Sequence, residues 1–491
     1  KTREVITTLE DDGSPEKVEV KVVDGMTTTT YATTNYYYDQ ANRQYQTTRV
    51  DPESTLSDRV TKVERDEIGR VAVRVDERNK EWETQWDDAG RTSKTIDPIG
   101  NEVQYSYNVS TRKTTVTSHE YNTDTASFTD YVTVTTTDAS GRTTSIDSQG
   151  SASGSLETTY TYDEGGRRLT LRGEENREID WEYDDLGRQT KETHRIDAST
   201  DAITTTYWSA GGLKERVSDA NAINTRWTYN SFGQELTVEY DDQTAQTYTR
   251  TYDSHGRLST ATDPAGVVTT YAYDTADRVD YVDYNYASSG LTGPDRIDYT
   301  YDDMDRITSA KTQDYVSMSY TDLISVTRAY NGFGEMDSET QHGGHTIAYT
   351  HFENGAVKTI TYPSGGPVVG VEYLLDDNGR IDSVKRKLST DVEGISTSTW
   401  ETTAEFEYAG HREYERSQTL YDLVRVQTYT SFGEPDELTY KEASSSTLLS
   451  GLDSDWDDAG RMVVRERMHD ESGGTEMGEA FRYDDMGRLV T

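Results

Sequence analysis

Short runs rich in Thr, Val, Tyr and Arg, each bounded by turn residues, make up most of the chain; "TSKTI" after Arg91 and "VVTTYAY" from Val267 to Tyr273 are typical. β-Branched and aromatic runs of this length, closed by turn chemistry, predict strands, and antiparallel strands can be joined by connections this tight. The stretch from Phe128 to Asp138, "FTDYVTVTTTD", sets Tyr131 and the Thr positions against Val132 and Val134, which is the period of two of a strand. No stripe of helical period stands beside it. The pattern therefore predicts an all-β chain built from successive hairpins.

The hairpins repeat. "YDSHGRLSTATDPAGVVTTYAYDTADR", from Tyr252 to Arg278, and "WDDAGRTSKTIDPIGNEVQYSYN", from Trp86 to Asn108, share one internal spacing. An aromatic residue, Asp, two variable residues and Gly-Arg are followed six positions later by Asp-Pro-x-Gly, and the next aromatic comes ten positions after that. A unit of 21 residues signals a repeat architecture. Nineteen copies can be followed from Tyr38 to Tyr483, some degenerate, at intervals of 21 to 33 residues. The aromatic, Asp, Gly and Arg stay together in the copies starting at Trp86, Tyr162, Tyr183, Tyr252, Trp456 and Tyr483, and the copy between Tyr183 and Tyr229 is anchored on Tyr207.

The residues that define the repeat are Trp86, Asp87, Gly90 and Arg91, with Tyr162, with Tyr183, Gly187 and Arg188, with Tyr252, Asp253, Gly256 and Arg257, with Tyr273, and near the end Trp456, Gly460, Arg461, Tyr483, Gly487 and Arg488. Where the turn Gly is absent its place is taken by Asn42, Asp277 or Asp305, the residue types that best tolerate a left-handed backbone, so the position is expected to have positive φ. The second signal, Asp97-Pro98-Ile99-Gly100 and Asp263-Pro264-Ala265-Gly266, puts Pro where φ is pre-set and Gly where it must be positive.

Composition changes the picture in one respect. Leu, Ile, Val and Phe make up about a sixth of the chain, below the usual level for a packed core, and the net charge is −41. Disorder does not fit 36 Tyr and turns at fixed offsets. A sheet wetted on both faces does, because cross-strand Thr, Tyr and Arg pairs can supply its contacts. The expected fold is thus a single-layer sheet rather than a sandwich.

With 90 acidic against 49 basic residues, nucleic acid and anionic membrane are disfavoured as partners. The absence of Cys excludes a disulfide scaffold, and no apolar run is long enough to span a bilayer. Acids spread over every repeat, with 35 Arg but 14 Lys, suggest adaptation to a saline medium. The chain starts without Met and stops inside a hairpin, and it is expected to be part of a longer protein. Residues 1–37 are read as a less regular β entry and 38–491 as one continuous repeat domain.

The pattern Tyr-Asp-x-x-Gly-Arg followed by Asp-Pro-x-Gly resembles the YD repeat of the Rhs family, which includes bacterial polymorphic toxins, shell components of insecticidal toxin complexes and teneurins. The resemblance covers about residues 38–491. It implies a long β-sheet strip wound in a spiral into a hollow shell, often around a cytotoxic C-terminal domain in bacterial members, and supporting adhesion in teneurins. Two strands per copy at about 4.8 Å spacing give a strip roughly 180 Å long, enough for about one and a half turns of a tube about 40 Å across. The chain departs from the toxin pattern by stopping before any aspartyl self-cleavage core.

Candidate chemistry is sparse, and no catalytic residue, cofactor or metal ligand is assigned. His342, His345 and His351 have spacings that can bind zinc or nickel, but without Cys or a placed carboxylate they read as a Gly-bearing hairpin loop. Asp453, Asp455, Asp457 and Asp458 imitate a calcium loop but lack its Gly and belong to the Trp456 turn. Asn108-Val109-Ser110 is a lone glycosylation sequon. Acid pairs such as Asp87-Asp88 and Asp184-Asp185 recur in the turns and are expected to be structural there, not glycosidase carboxylates. The functional expectation is a non-catalytic shell segment of a secreted or cell-surface protein that encloses a C-terminal passenger of the same polypeptide. The alternative is a surface adhesion or stalk protein that binds glycans or partner proteins.

Overall fold

A computed structural model describes the chain except residues 1, 25, 123–126, 150–154, 174–177, 196–200, 242–245, 390–399, 411, 419–421, 430–434, 457–461, 469–476, 481, 484–488 and 491. The described residues contain 41 strands and no helix, so none offers a helix able to cross a membrane. Thirty-nine strands belong to one sheet, in which successive strands pair antiparallel among the described residues. The fold class is all-β, a run of antiparallel hairpins in one sheet. Residues 2–38 form three long strands, Thr2–Leu9, Pro15–Asp24 and Thr27–Tyr38, paired in order and joined to Gln44–Val50. The stretch read as alternating forms the strand Ser127–Thr137.

Little in this sheet is buried. Among the described residues nine apolar side chains are buried, spread from Val22 to Leu388, and the largest side chain that is fully buried is a carboxylate, Asp51. Strand-to-strand cohesion therefore rests on the backbone ladder and on side-chain pairs across it. Thr pairs recur at one register position, with hydroxyls 2.7 Å apart at Thr161 and Thr170, Thr228 and Thr237, Thr251 and Thr260, and Thr350 and Thr359.

Two compact units are present. The first comprises Lys1–Glu102, Tyr271–Tyr284 and Thr292–Phe406, and the second Val103–Thr270, Asn285–Leu291 and Glu407–Thr491. Each unit brings together runs of hairpins that are far apart in sequence. In the first, Tyr31 donates to Asp303 across 272 residues and Arg3 to Asp305 across 302. In the second, Arg412 donates to Glu120 across 292 (2.5 Å) and lies 4.5 Å from the centre of the Tyr131 ring.

Candidate functional site

The recurring element is a five-residue loop that starts on Asp. Between Asp87 and Arg91, the Asp87 N–H donates to the Arg91 carbonyl (2.8 Å) and the Gly90 N–H to the Asp87 carbonyl (3.0 Å). Gly90 has a φ of +78°. This is a type I turn followed by a left-handed residue, and the resulting bulge accounts for the register step between Gln85 and Trp86. The Asp side chain then closes the loop. Asp87 accepts from the Arg91 N–H on Oδ1 (2.8 Å) and from Arg91 Nε on Oδ2 (2.8 Å).

The same closure holds at Asp184 with Arg188 and at Asp253 with Arg257, with Gly187 at +84° and Gly256 at +80°. Asn42, Asp277 and Asp305 occupy the fourth position at +57°, +64° and +64°. Hydrogen bonds from the Arg backbone N–H, then from the Arg side chain, hold the carboxyls of Asp87, Asp138, Asp163 and Asp184 below the usual carboxylate range against the opposing effect of desolvation.

Several of these guanidinium groups also reach the next hairpin. Arg142 lies 5.0 Å from the centre of the Tyr162 ring and donates to the Asp163 carbonyl (3.1 Å). Arg167 repeats this on Tyr183 and Asp184, at 4.9 and 3.4 Å, and Arg188 on Trp208 and Ser209, at 5.6 and 3.0 Å. The aromatic tip points backwards. Tyr162, Tyr183 and Tyr252 hydroxyls donate to the carbonyls of Thr143, Arg168 and Glu235 (2.7, 2.7 and 2.8 Å). Where the aromatic is Trp, the indole N–H does the same, from Trp86 to Val71 (3.0 Å) and from Trp456 to Pro435 (2.6 Å). A charged fork, a cation–π contact and a tyrosine hydrogen bond thus tie one hairpin to its neighbour without a hydrophobic core.

The Asp-Pro-x-Gly signal is the same loop at the other ends of the strands. Asp97 N–H donates to the Asn101 carbonyl and Gly100 N–H to the Asp97 carbonyl (both 3.0 Å), with Gly100 at +93° and Pro98 in the variable second position. Asp263, Pro264 and Gly266 match it, Gly266 at +88°, and a Cβ there would stand 3.2 Å from the Ser288 carbonyl oxygen. Asp76–Lys80 and Asp219–Ile223 form the loop with Asn79 and Ala222 at positive φ and no Pro-Gly at all. The shared Asp-x-x-Gly spacing was the signal that would have unified the two motifs.

One anchor is corrected. The copy assigned to Tyr207 is anchored on Trp208, whose indole donates to Gln189 (2.8 Å), because the loop begins at Ser209; Tyr207 instead carries Arg216 at 3.8 Å from its ring centre. Tyr273 ends the strand Val268–Tyr273 before the Asp274 loop. Gly460, Arg461, Gly487 and Arg488 lie outside the described residues, as do Asp457 and Asp458. Tyr483 lies in the short strand Arg482–Tyr483, paired with Leu489–Val490.

The candidate histidines do not converge. His342 lies in the exposed turn between two strands, His345 and His351 stand at opposite ends of the strand His345–His351, and His351 faces Glu335 at 3.7 Å. Among the described residues no group of three His, Cys, Asp or Glu is placed to hold a metal ion. Asp453 and Asp455 instead raise the pKa of Asp436, after burial, which is the larger cause.

In the first unit the Asn331–Glu335 loop breaks the rule, as does Phe352–Ala356 after it. After Tyr330 the sequence is Asn331-Gly332-Phe333-Gly334-Glu335, so Asn stands for Asp and Glu for Arg. The loop still closes, through Asn331 Nδ2 donating to Glu335 (2.9 Å) and the Glu335 N–H donating to Asn331 Oδ1 (3.0 Å). The guanidinium comes from elsewhere. Arg59, 276 residues earlier, forks onto Glu335 at 2.6 and 2.7 Å and lies 4.1 Å from the Phe333 ring centre. Both partners are largely buried, Arg59 at 7% and Glu335 at 16% exposure. Burial, the largest single effect, opposes ionisation of Glu335, but the hydrogen bonds from Arg59 and Asn331 and the charges of Arg59 and His351 together outweigh it and hold the carboxyl below its ordinary range.

Asp51 packs beside this contact. It accepts from the N–H groups of Glu53, Thr55 and Leu56 and from the Thr55 hydroxyl at 2.7 to 3.1 Å, and a Cβ on Gly332 would collide with its carboxylate. Further along, Arg78 donates to the carbonyls of Asp376 and Asp377 (both 2.8 Å), and Asn378 to Asp97 (2.6 Å).

The RHS Repeat family model matches residues 252–288, the segment that carries the Tyr252 and Tyr273 loops. Residues 252–288 thus carry an RHS repeat, which supports the likeness of the chain to the Rhs/YD-repeat family. Among solved structures this Rhs-repeat chain is similar to the Photorhabdus luminescens Tc holotoxin pore in a form with a TccC3 mutation, at a TM-score of 0.56 and 13% identity. That match covers 99% of this chain and 29% of the other, so the chain spans less than a third of the solved chain it resembles. A crystal structure of TcdB2-TccC3 matches at a TM-score of 0.48 and 12% identity, over 99% of this chain and 31% of that one. No curated protein sequence matches the chain.

Proposed function

We propose that this chain is a non-catalytic wall segment of a larger secreted or cell-surface Rhs-repeat protein, whose sheet encloses a C-terminal passenger of the same polypeptide. The observation that carries the reading is the nearly coreless sheet: nine buried apolar side chains among the described residues and a wall tied together by Asp, Arg and Tyr. A sheet with water on both faces is expensive as a fold for a compact enzyme but suits a partition. The return of the hairpin run against itself after 272 to 302 residues supports stacking of successive courses, as a spiral wall requires. The likeness to a Tc holotoxin pore chain supports a place in a toxin-type assembly. Residues 38–491 act as one repeat domain entered through 1–37, and the evenly spread acids keep such a surface soluble in a saline medium.

The test is protease protection in the intact parent protein. A passenger inside the wall should survive added protease until the sheet is opened by denaturant, and this chain alone should turn over no hydrolase or transferase substrate. A passenger digested as fast as free peptide defeats containment and leaves surface adhesion, through glycans or partner proteins, as the function.

A further inference from the structure

The Asn331–Glu335 loop, one of two consecutive loops of the first unit that lack both the Asp and the Arg, is the one that meets the buried guanidinium of Arg59. We infer that the Asn331–Glu335 loop and Arg59 form a register lock, which fixes which hairpin of residues 292–406 stands against which hairpin of residues 1–102. In the ordinary loop an Arg at the fifth position satisfies its own Asp, as Arg306 does with Asp302 (2.9 and 2.6 Å). At the next loop the fifth position is Glu335 and its partner Arg59 comes from the other run. The substitution turns an internal tie into an external one.

Register specificity follows from the neighbouring loops. A slip of one hairpin would put Arg306 or Ala356 where Glu335 stands. Arg306 would set like charges together in a poorly solvated place, and Ala356 would leave Arg59 buried without a partner; both are strongly unfavourable. Gly332 adds a steric condition, since only a residue without Cβ lets the loop close over the Asp51 carboxylate. The Asp51 loop is itself matched to this place. Residues 51–58 replace the usual five-residue loop, and Asp51 ties them down through four donors.

A charge-swap cycle tests the lock on this chain without any passenger, so its outcome is independent of the containment reading. Leu56 is exposed and gives thermolysin a cutting site in the 51–58 loop. Arg59→Glu and Glu335→Arg should each speed cleavage at Leu56 by about tenfold or more, and the double swap should return it to within about threefold of the parent. Circular dichroism should show the strand signal retained in all three. If reversal prevents folding, Arg59→Gln, Glu335→Gln and their combination give the same cycle, with the double variant no faster than either single one. Singles that leave the rate unchanged, or a double variant whose defect is the sum of the two, would overturn the lock.

Discussion

Two adjacent loops of the same unit, Asp302–Arg306 and Asn331–Glu335, share a backbone and differ in where their guanidinium comes from. In the first, Arg306 closes on Asp302 and then lies 4.4 Å from the ring centre of the following Tyr330, while the variable Asp303 and Asp305 accept from Tyr31 and Arg3. The second borrows Arg59 from a strand 276 residues away. The contrast teaches that a repeat wall needs two kinds of contact, one that every hairpin makes with the next and one that only selected hairpins make with another course. The local kind can be conserved as a motif. The long-range kind uses positions outside the motif's own closure, the variable Asp303 and Asp305 and the carbonyls of Asp376 and Asp377, or, at Glu335, a changed motif position.

Removing the local kind everywhere at once has the largest effect. The loop carboxyls of Asp39, Asp87, Asp138, Asp163 and Asp184 are held below their ordinary range chiefly by hydrogen bonds from the Arg backbone and side chain. A depressed folded-state value contributes stability above the unfolded value of about 3.9, and that contribution is lost as pH falls through the folded values. Between neutral pH and about 4 the melting temperature should hold or rise, as the excess negative charge is relieved, and below about 4 it should drop. A melting temperature still rising below pH 3 would contradict the loop closure described.

The long-range contact is the next largest. Arg59→Ala leaves the largely buried Glu335 without its guanidinium, held by Asn331 alone, and should cost about 3–5 kcal/mol in opening of that contact, measured by native-state hydrogen exchange. Arg306→Ala should cost only about 1 kcal/mol, since its loop keeps backbone donors on Asp302. Equal costs would erase the difference between the two loops.

Within the local ladder, Tyr252→Ala should cost about 1–3 kcal/mol through lost ring contact, while Tyr252→Phe, which removes only the hydroxyl bond to Glu235, should cost about 0.5–1.5 kcal/mol. Denaturant melts of both variants separate ring from hydroxyl, and damage should stay near residues 235–257. Gly256→Ala, at a φ of +80°, should cost about 1–2 kcal/mol, whereas Asp277→Gly at the same loop position should be neutral or stabilising.

The local half of this account was legible in the sequence. The spacing of Tyr252, Asp253, Gly256 and Arg257 marks the loop, and Asn42, Asp277 and Asp305 reveal its left-handed position, because both are consequences of backbone sterics within a few residues. The identity of the two loop types was visible in Asp87-x-x-Gly90 and Asp97-x-x-Gly100, yet Pro98 suggested a different turn. Ala222 at positive φ gave no signal, since only its surroundings hold it there. The partnership of Arg59 with Glu335 was beyond reach, because which loop meets which strand depends on how the hairpin run returns on itself. Only the anomaly was on view: a Glu where the repeat asks for Arg.

The most direct test of a wall held by local ties and selected long-range ones is the hydrogen-exchange footprint of Arg59→Ala set beside that of Arg167→Ala. Faster exchange is expected in two segments for Arg59→Ala, residues 51–65 and 330–353, and in one segment for Arg167→Ala, residues 160–190. A footprint for Arg59→Ala confined to its own strands, with 330–353 as protected as in the parent, would contradict the account.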